Sequence, residues 1–293
     1  MAKISFEFPD GSVKEFDQGV TTEDIAKSIS ISLAKKSVAG KIDGKMVEID
    51  LPLEKGGKIE IVTKDTEDGL KVLRQTASQL LKAALADQFN NIQFGESTSD
   101  EDGFFVDTDK RDSQVSADEL PQVEERINKM VSDNVKIERK VLSLEDALKQ
   151  VDGDPYQAKL VNELAEDGQV VFYQIGDYLG LGEGVVLPEA KAVKEYKLLS
   201  VAGAYWEGKS SNPMLQRIFA TAFYKKADLE EDLKRRQEAK ERDHRVIGNK
   251  LDLFFVDPKV GAGLAYWMPN GATIRRVVER YIIDKELANG YQH

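Results

Sequence analysis

The stretch Lys3-Ile-Ser-Phe-Glu-Phe-Pro-Asp-Gly-Ser-Val-Lys-Glu-Phe16 decides how the amino-terminal end folds. Ile4, Phe6 and Phe8 alternate with Lys3, Ser5 and Glu7, the period-two pattern of a strand with one buried face. Pro9-Asp10-Gly11-Ser12 interrupts it as a turn, and residues 13–16 supply a returning strand. Thr21-Thr22-Glu23-Asp24 then opens a helix with Ile25, Ile29 and Leu33 on one face. Short strands are expected around 39–42, 45–49 and 58–62. A hairpin, a helix and further strands in so short a span predict a β-grasp domain over residues 1–64.

Outward from this domain the periodicity lengthens. Leu70, Leu73, Ala77, Leu80, Leu81, Ala84 and Leu85 form the apolar stripe of a helix over about 68–88. An acidic stretch, 96–102, precedes a strand at Gly103-Phe104-Phe105-Val106. Ser116-Ala-Asp-Glu119 is a capping box before a second helix, with Leu120, Val123, Ile127, Met130 and Val131 inward, and Ser143-Leu-Glu-Asp146 starts a third. Strands at 170–173 and 197–201 bracket a glycine-rich segment, 176–184. Helices and strands alternating without Rossmann regularity predict an α+β domain over 65–225. Residues 226–250 are almost all charged and read as a linker helix bridging domains. From Leu251 a further element begins, and a chain stopping at Gly290-Tyr-Gln-His293 is expected to be a fragment.

Composition narrows the chemistry. Against 41 basic residues stand 52 acidic ones, a net charge of −11, which argues against broad nonspecific nucleic-acid binding but leaves room for a local basic face. There is no cysteine, so disulfides are excluded. The two histidines, His244 and His293, are far apart in sequence and do not suggest a zinc site; no metal ligands are assigned. No stretch reaches membrane-span length, and the alternating N-terminus lacks a signal-peptide core, so the expected location is the cytoplasm. Gly180-Leu-Gly182-Glu-Gly184 does not fit the phosphate-loop pattern and reads as a turn-rich loop.

Three long segments resemble threonyl-tRNA synthetases. They are Leu198-Leu-Ser-Val-Ala-Gly203-Ala-Tyr205-Trp206-Glu-Gly208 with Met214-Leu-Gln216-Arg217-Ile218, then Glu238-Ala-Lys-Glu-Arg242-Asp243-His244-Arg245, and Trp267-Met-Pro269-Asn-Gly271-Ala-Thr-Ile-Arg275-Arg276, which is similar to class II motif 1. The resemblance covers essentially the whole chain. It implies a multidomain α+β protein: a TGS domain at 1–64, an editing-type domain at 65–225, a linker helix at 226–250 and the beginning of a class II catalytic domain at 251–293. It also implies tRNA(Thr) as partner, ATP and zinc bound by a catalytic domain beyond residue 293, and a homodimer formed through the region of Pro269, Gly271 and Arg275 when that domain is present. No cofactor is expected in the segment itself.

In the family, editing of serine mischarged onto tRNA uses an H-x-x-x-H pair on a helix and a later C-x-x-x-H pair. Carried over by position, the first pair falls on Gln75 and Gln79, the cysteine on Gly182, its partner histidine on Val186 and a preceding aspartate on Gly180. Glutamine exchanges no proton near neutral pH, glycine has no side chain and valine forms no hydrogen bond. The expectation is therefore a cleft with no group that moves a proton or grips an ion, inactive in ester hydrolysis. A replacement mechanism through Glu96, Asp100, Glu101 or Asp102 is weighed against an ordinary solvated acidic loop. Tyr205 and Trp206 are candidates to stack on tRNA, or to pack internally. Lys234, Arg235, Arg236, Lys240, Arg242 and Arg245 are candidates for phosphate contact, or members of a solvated face paired with neighbouring acids. His244 is expected to cap or pack. A freestanding RNA-binding adaptor without catalysis is the alternative, because TGS domains also occur in other protein classes; the motif-1-like segment favours the ligase.

Overall fold

The computed structural model describes residues 2–111, 113–257, 259, 261 and 263–292, so His293 lies outside the described residues. By contacts the chain divides into two units, 1–229 and 230–293. The first begins with β1 (Lys3–Glu7), β2 (Val13–Asp17), α1 (Thr22–Ile29), α2 (Ile31–Lys36), β3 (Ser37–Ile42), β4 (Lys45–Glu48) and β5 (Gly57–Thr63). The sheet order is β2-β1-β5-β3-β4, with β1 parallel to β5 and the other pairs antiparallel. Alternation along β1 sends Phe6 into a core with Phe8, Ile25, Leu53 and Ile59. One expectation fails: the predicted single helix carrying Ile25, Ile29 and Leu33 is two. Ser30 is extended; its N–H donates to the Ala26 carbonyl while its hydroxyl accepts from Leu33 N, so it ends one helix and starts the next. Ile29 is thereby left exposed.

The larger α+β body follows, with α3 (Glu67–Gln88), β6 (Ile92–Ser99), β7 (Phe104–Lys110), α4 (Leu120–Ser132), β8 (Ile137–Ser143), α5 (Leu144–Gln150), α6 (Pro155–Leu164), β9 (Gln169–Ile175), β10 (Tyr178–Leu181), β11 (Glu195–Tyr205) and β12 (Met214–Phe223). Two antiparallel sheets result, ordered β11-β12-β7-β6 and β10-β9-β8. The acidic stretch at 96–102 is therefore partly strand. Ser116 and Glu119 form the expected box, the Ser116 N–H donating to the Glu119 carboxylate at 2.8 Å. Part of the supposed glycine loop is also strand: Gly180 opposes Tyr173, and a Cβ at Gly180 would collide with the Tyr178 ring and displace it.

Helix α3 is the hub. Thr66 caps it by accepting from Gly69 N at 3.1 Å, and Glu67 and Asp68 favour its positive end. The stripe pattern predicts one buried face, but residues 72–85 are buried on every side. Leu73, Leu80, Leu81 and Leu85 join Phe104, Val106, Ile218 and Ala220 in the main core. The opposite, polar side lies under β9, β10 and the residues that follow them.

The second unit contains α8 (His244–Lys250), a hairpin of β13 (Phe254–Val256) and β14 (Ala265–Trp267), and α9 (Pro269–Ala288). Helix α7 (Lys226–Glu241) runs through the boundary between the units, and the predicted continuous linker helix is interrupted, because Asp243 caps α8 by accepting from Arg245 N at 2.8 Å. His244 is exposed and stacks on Phe254. No helix of the described residues is long and apolar enough to cross a membrane.

Leu80 in α3 is fully buried and Val141 in β8 is 43% exposed. Leu80→Ala is expected to cost roughly 2–5 kcal/mol of stability, and Val141→Ala less than about 0.5 kcal/mol, in chemical denaturation.

Candidate functional site: a cleft beside a buried polar stripe

Gln75, Gln79 and Lys82 follow one another at helical spacing along α3, and all three are buried, at 8%, 0% and 2% exposure. Across from them run residues 181–184, leaving the β9–β10 hairpin. Gln79 Nε2 donates to the Leu181 carbonyl at 2.8 Å. Lys82 Nζ forms an ion pair with Glu183 Oε1, and Glu183 Oε2 accepts from Ser97 N at 2.7 Å. The Gln75 side chain covers Gly184, where a Cβ would come within 3.0 Å of its Nε2. Gly182 N donates to the Val171 carbonyl, and Leu187 N to the Thr76 hydroxyl, both at 2.9 Å. The polar face of the helix thus meets the glycine-rich segment at Leu181, Glu183 and Leu187, although Gln79 Oε1 is buried with no hydrogen-bond partner among the described residues.

In front of this seam opens a cleft of about 740 Å³. Its walls include Val72 and Gln75 of α3, Ser97, Thr98 and Ser99 of β6, Gly182 to Val185, Tyr173 of β9, Arg139 of β8, and Lys45 to Glu48 of the β-grasp domain. Of the positions carried over from the family, Gln75 and Gly182 line the cleft. Gln79 lies behind it, bonded to backbone. Gly180 is packed within the hairpin, and Val186, 2% exposed, belongs to the main core. A Cβ at position 182 would stand 2.9 Å from Tyr173 Cε2 and 3.0 Å from the Val171 carbonyl oxygen, so the Tyr173 ring takes the room beside it.

The cleft is not empty of ionisable groups, and this corrects the expectation drawn from the carried-over positions. Glu183, Glu48, Arg139 and Tyr173 line it, with Lys82 paired behind. Sequence reasoning passed over them because nothing in the local pattern marks Lys82 or Tyr173 as inward. The usable signal was a lysine, Lys82, at i+3 from Gln79 inside an otherwise buried helix. Their partners decide what they do. Both oxygens of Glu183 are engaged, one by an ammonium and one by an amide. Burial, reinforced by the Glu48 carboxylate, pushes the Tyr173 phenol well above the usual tyrosine range, so it stays protonated and acts as a donor. Burial does the same for Tyr178, whose hydroxyl has no hydrogen-bond partner among the described residues. The acids considered as replacements stand apart: Glu96, Asp100, Glu101 and Asp102 are exposed, and Asp100 Oδ1 accepts from Asp102 N and Gly103 N, both at 2.9 Å, to hold a turn.

The remaining candidates have plain surroundings. Tyr205, 41% exposed, ends β11 opposite Met214. Trp206 packs edge-on against Tyr156 at 4.8 Å with Lys159 over its face. In the second unit Arg235 and Arg236 both bind Asp232 at 2.6 Å, and Arg242 pairs with Glu238 at 3.3 Å. Lys234 and Lys240 are exposed. Arg245 chelates Asp243, holding that carboxyl well below the usual range. Pro269 starts α9, Arg275 pairs with Glu279 at 2.7 Å, and Gly271 lies so close to the Leu253 carbonyl that a Cβ there would clash.

Breaking one side of a buried ion pair strands the other charge, whereas replacing both sides by apolar groups is often tolerated. Lys82→Met is therefore expected to cost roughly 3–5 kcal/mol in equilibrium unfolding. In Lys82→Met/Glu183→Leu about half of that loss should return, leaving about 1–3 kcal/mol for the unpaired Ser97 amide.

A TGS domain model matches residues 4–63. Threonine–tRNA ligases of Levilactobacillus brevis and Ligilactobacillus salivarius are 62% and 58% identical across 100% of the chain, and that of Enterococcus faecalis is 50% identical across 99% of it. The chain spans 45%, 46% and 45% of the length of these three relatives. Residues 4–63 thus match a TGS domain, and over its whole length the chain is similar to just under half of each of these threonine–tRNA ligases.

Proposed function

We propose that the chain serves as the tRNA-handling N-terminal part of an ATP-dependent threonine–tRNA ligase in the cytoplasm, and that its cleft does not hydrolyse seryl-tRNA(Thr). The ligase half of this proposal is supported by the identity to threonine–tRNA ligases along the chain. The ATP and zinc of the charging reaction are assigned with it to the part of the relatives that this chain does not span, and a dimer contact through the region of Pro269, Gly271 and Arg275 is assigned to the longer protein that contains that part.

One observation carries the second half. The seam between α3 and residues 181–184 is spent on internal contacts: Gln79 on the Leu181 carbonyl, Lys82 on Glu183, and Glu183 on Ser97. Water attack on an ester needs a group that accepts the water's proton within hydrogen-bond reach. Glutamine at 75 and 79 offers none, Glu183 already holds two donors, the other carboxylates lining the cleft, Glu48, Asp68 and Glu166, are each paired with a cation, and Tyr173 is a donor rather than a base. Loss of a general base removes roughly 10²- to 10⁴-fold of rate. Exposed Tyr205 on β11 in the first unit and, separately, exposed Lys234 and Lys240 on α7 in the second are the residues proposed to meet tRNA.

With seryl-tRNA(Thr) as substrate, the chain is expected to leave the ester at its spontaneous rate of loss. Clearance more than about tenfold faster would show that a base is at work in the cleft and would reject the proposal.

A further inference from the structure

Strand β4 belongs to the β-grasp domain, yet Lys45 to Glu48 form one wall of a cleft whose other walls are α3, β6, β9 and the glycine-rich segment. Glu48 is 8% exposed although its charge would prefer water. Its Oε1 is 3.2 Å from Arg139 Nε on β8 and 2.7 Å from the Tyr173 hydroxyl on β9. The same hydroxyl lies 2.9 Å from the Gly184 carbonyl. A phenol has one proton, so Tyr173 donates either to the carboxylate of the first domain or to the backbone of the segment behind the cleft. A single buried atom therefore stands between the two.

The β-grasp domain is joined to α3 through a shared apolar core that includes Val38, Ala39 and Val62, but the Glu48 contact on β4 is itself specific and weakly held. Desolvating a carboxylate nearly offsets what a buried pair returns, and releasing Glu48 would give it back to water. The other polar contacts at this junction are more open. Lys45 pairs with Glu166 with both side chains about two-thirds exposed, at 67% and 71%, and Lys36 pairs with Asp65 at 3.0 Å near the surface. Such pairs contribute little. Lys41 and Asp68, 2.6 Å apart, tie β3 to the first turn of α3, away from the glycine segment.

We propose that Glu48 is a latch: the β-grasp domain closes one side of the cleft by docking Glu48 on Tyr173 and Arg139, and the order of residues 182–187 depends on that docking through the shared hydroxyl. The device goes beyond the functional proposal, since it holds whether or not the cleft acts on an ester. Anything entering the cleft would then touch β4, and anything displacing β4 would loosen the glycine segment.

Amide hydrogen exchange on the whole chain tests it, with Glu48→Ala, Tyr173→Phe and, as a control at the rim, Glu166→Gln. The latch predicts that Glu48→Ala and Tyr173→Phe each speed exchange in both 45–48 and 182–187 by roughly tenfold, the size expected for one lost buried hydrogen bond. Exchange in β11 and β12 should stay unchanged, and Glu166→Gln should leave both segments as in the parent chain. If Glu48→Ala loosens 45–48 while 182–187 exchange at the parent rate, the two are not coupled and the proposal fails. It fails equally if exchange rises across β11 and β12 together with the cleft, because the residue is then a general stabiliser. Should Tyr173→Phe not fold, Glu48→Ala alone decides between these results.

Discussion

A buried ammonium meets a buried carboxylate where Lys82 of α3 reaches Glu183, and the shape of the cleft depends on that contact. Two charges withdrawn from water persist only when each is well paired. Glu183 meets the condition by taking the Ser97 amide on its second oxygen, which fastens β6 to the same point. Helix, strand and glycine segment are joined by one carboxylate. Around it Gln79 and Thr76 tie down Leu181 and Leu187 from the helix, while Val171 and Tyr173 of β9 hold Gly182 and Gly184 between them.

This arrangement explains why a cleft containing carboxylates, a guanidinium and a phenol is proposed to be unreactive. Reactivity requires a group with a free lone pair or proton directed at a substrate, and here Glu183, Lys82, Glu48, Arg139 and Tyr173 are engaged with one another or with backbone. Glutamine completes the pattern. It has no useful proton affinity, but it donates well, and at position 79 its amide replaces what a charged or titrating group would have to satisfy by other means. The Tyr173 ring beside Gly182 uses space in the same spirit, leaving a wall of backbone and aromatic carbon where a side chain would otherwise project.

Much of the architecture was legible in the residues. Period-two alternation in Lys3 to Phe8 marks a strand because each side chain must face one of two sides. The capping boxes and glycine turns are equally local. What escaped was set by distant partners. The stripe Leu73, Leu80, Leu81 announces a helix with one apolar face, yet nothing nearby says that its polar face is also covered, since the cover arrives about a hundred residues later with Leu181, Glu183 and Leu187. Ser30 reads as an ordinary helix residue until its hydroxyl is seen capping Leu33. At the site, glutamine and glycine could be named from the chain, but the Lys82–Glu183 and Glu48–Tyr173 contacts could not, because each joins segments 101 and 125 residues apart.

The most direct measurement is a near-atomic-resolution crystal structure of the chain near neutral pH, with the waters of the cleft resolved. The account predicts Glu183 bonded to Lys82 Nζ and Ser97 N, and Gln79 bonded to the Leu181 carbonyl. Glu183 turned away from Lys82 into the cleft, holding an ordered water against the open face of Gly182, would contradict it.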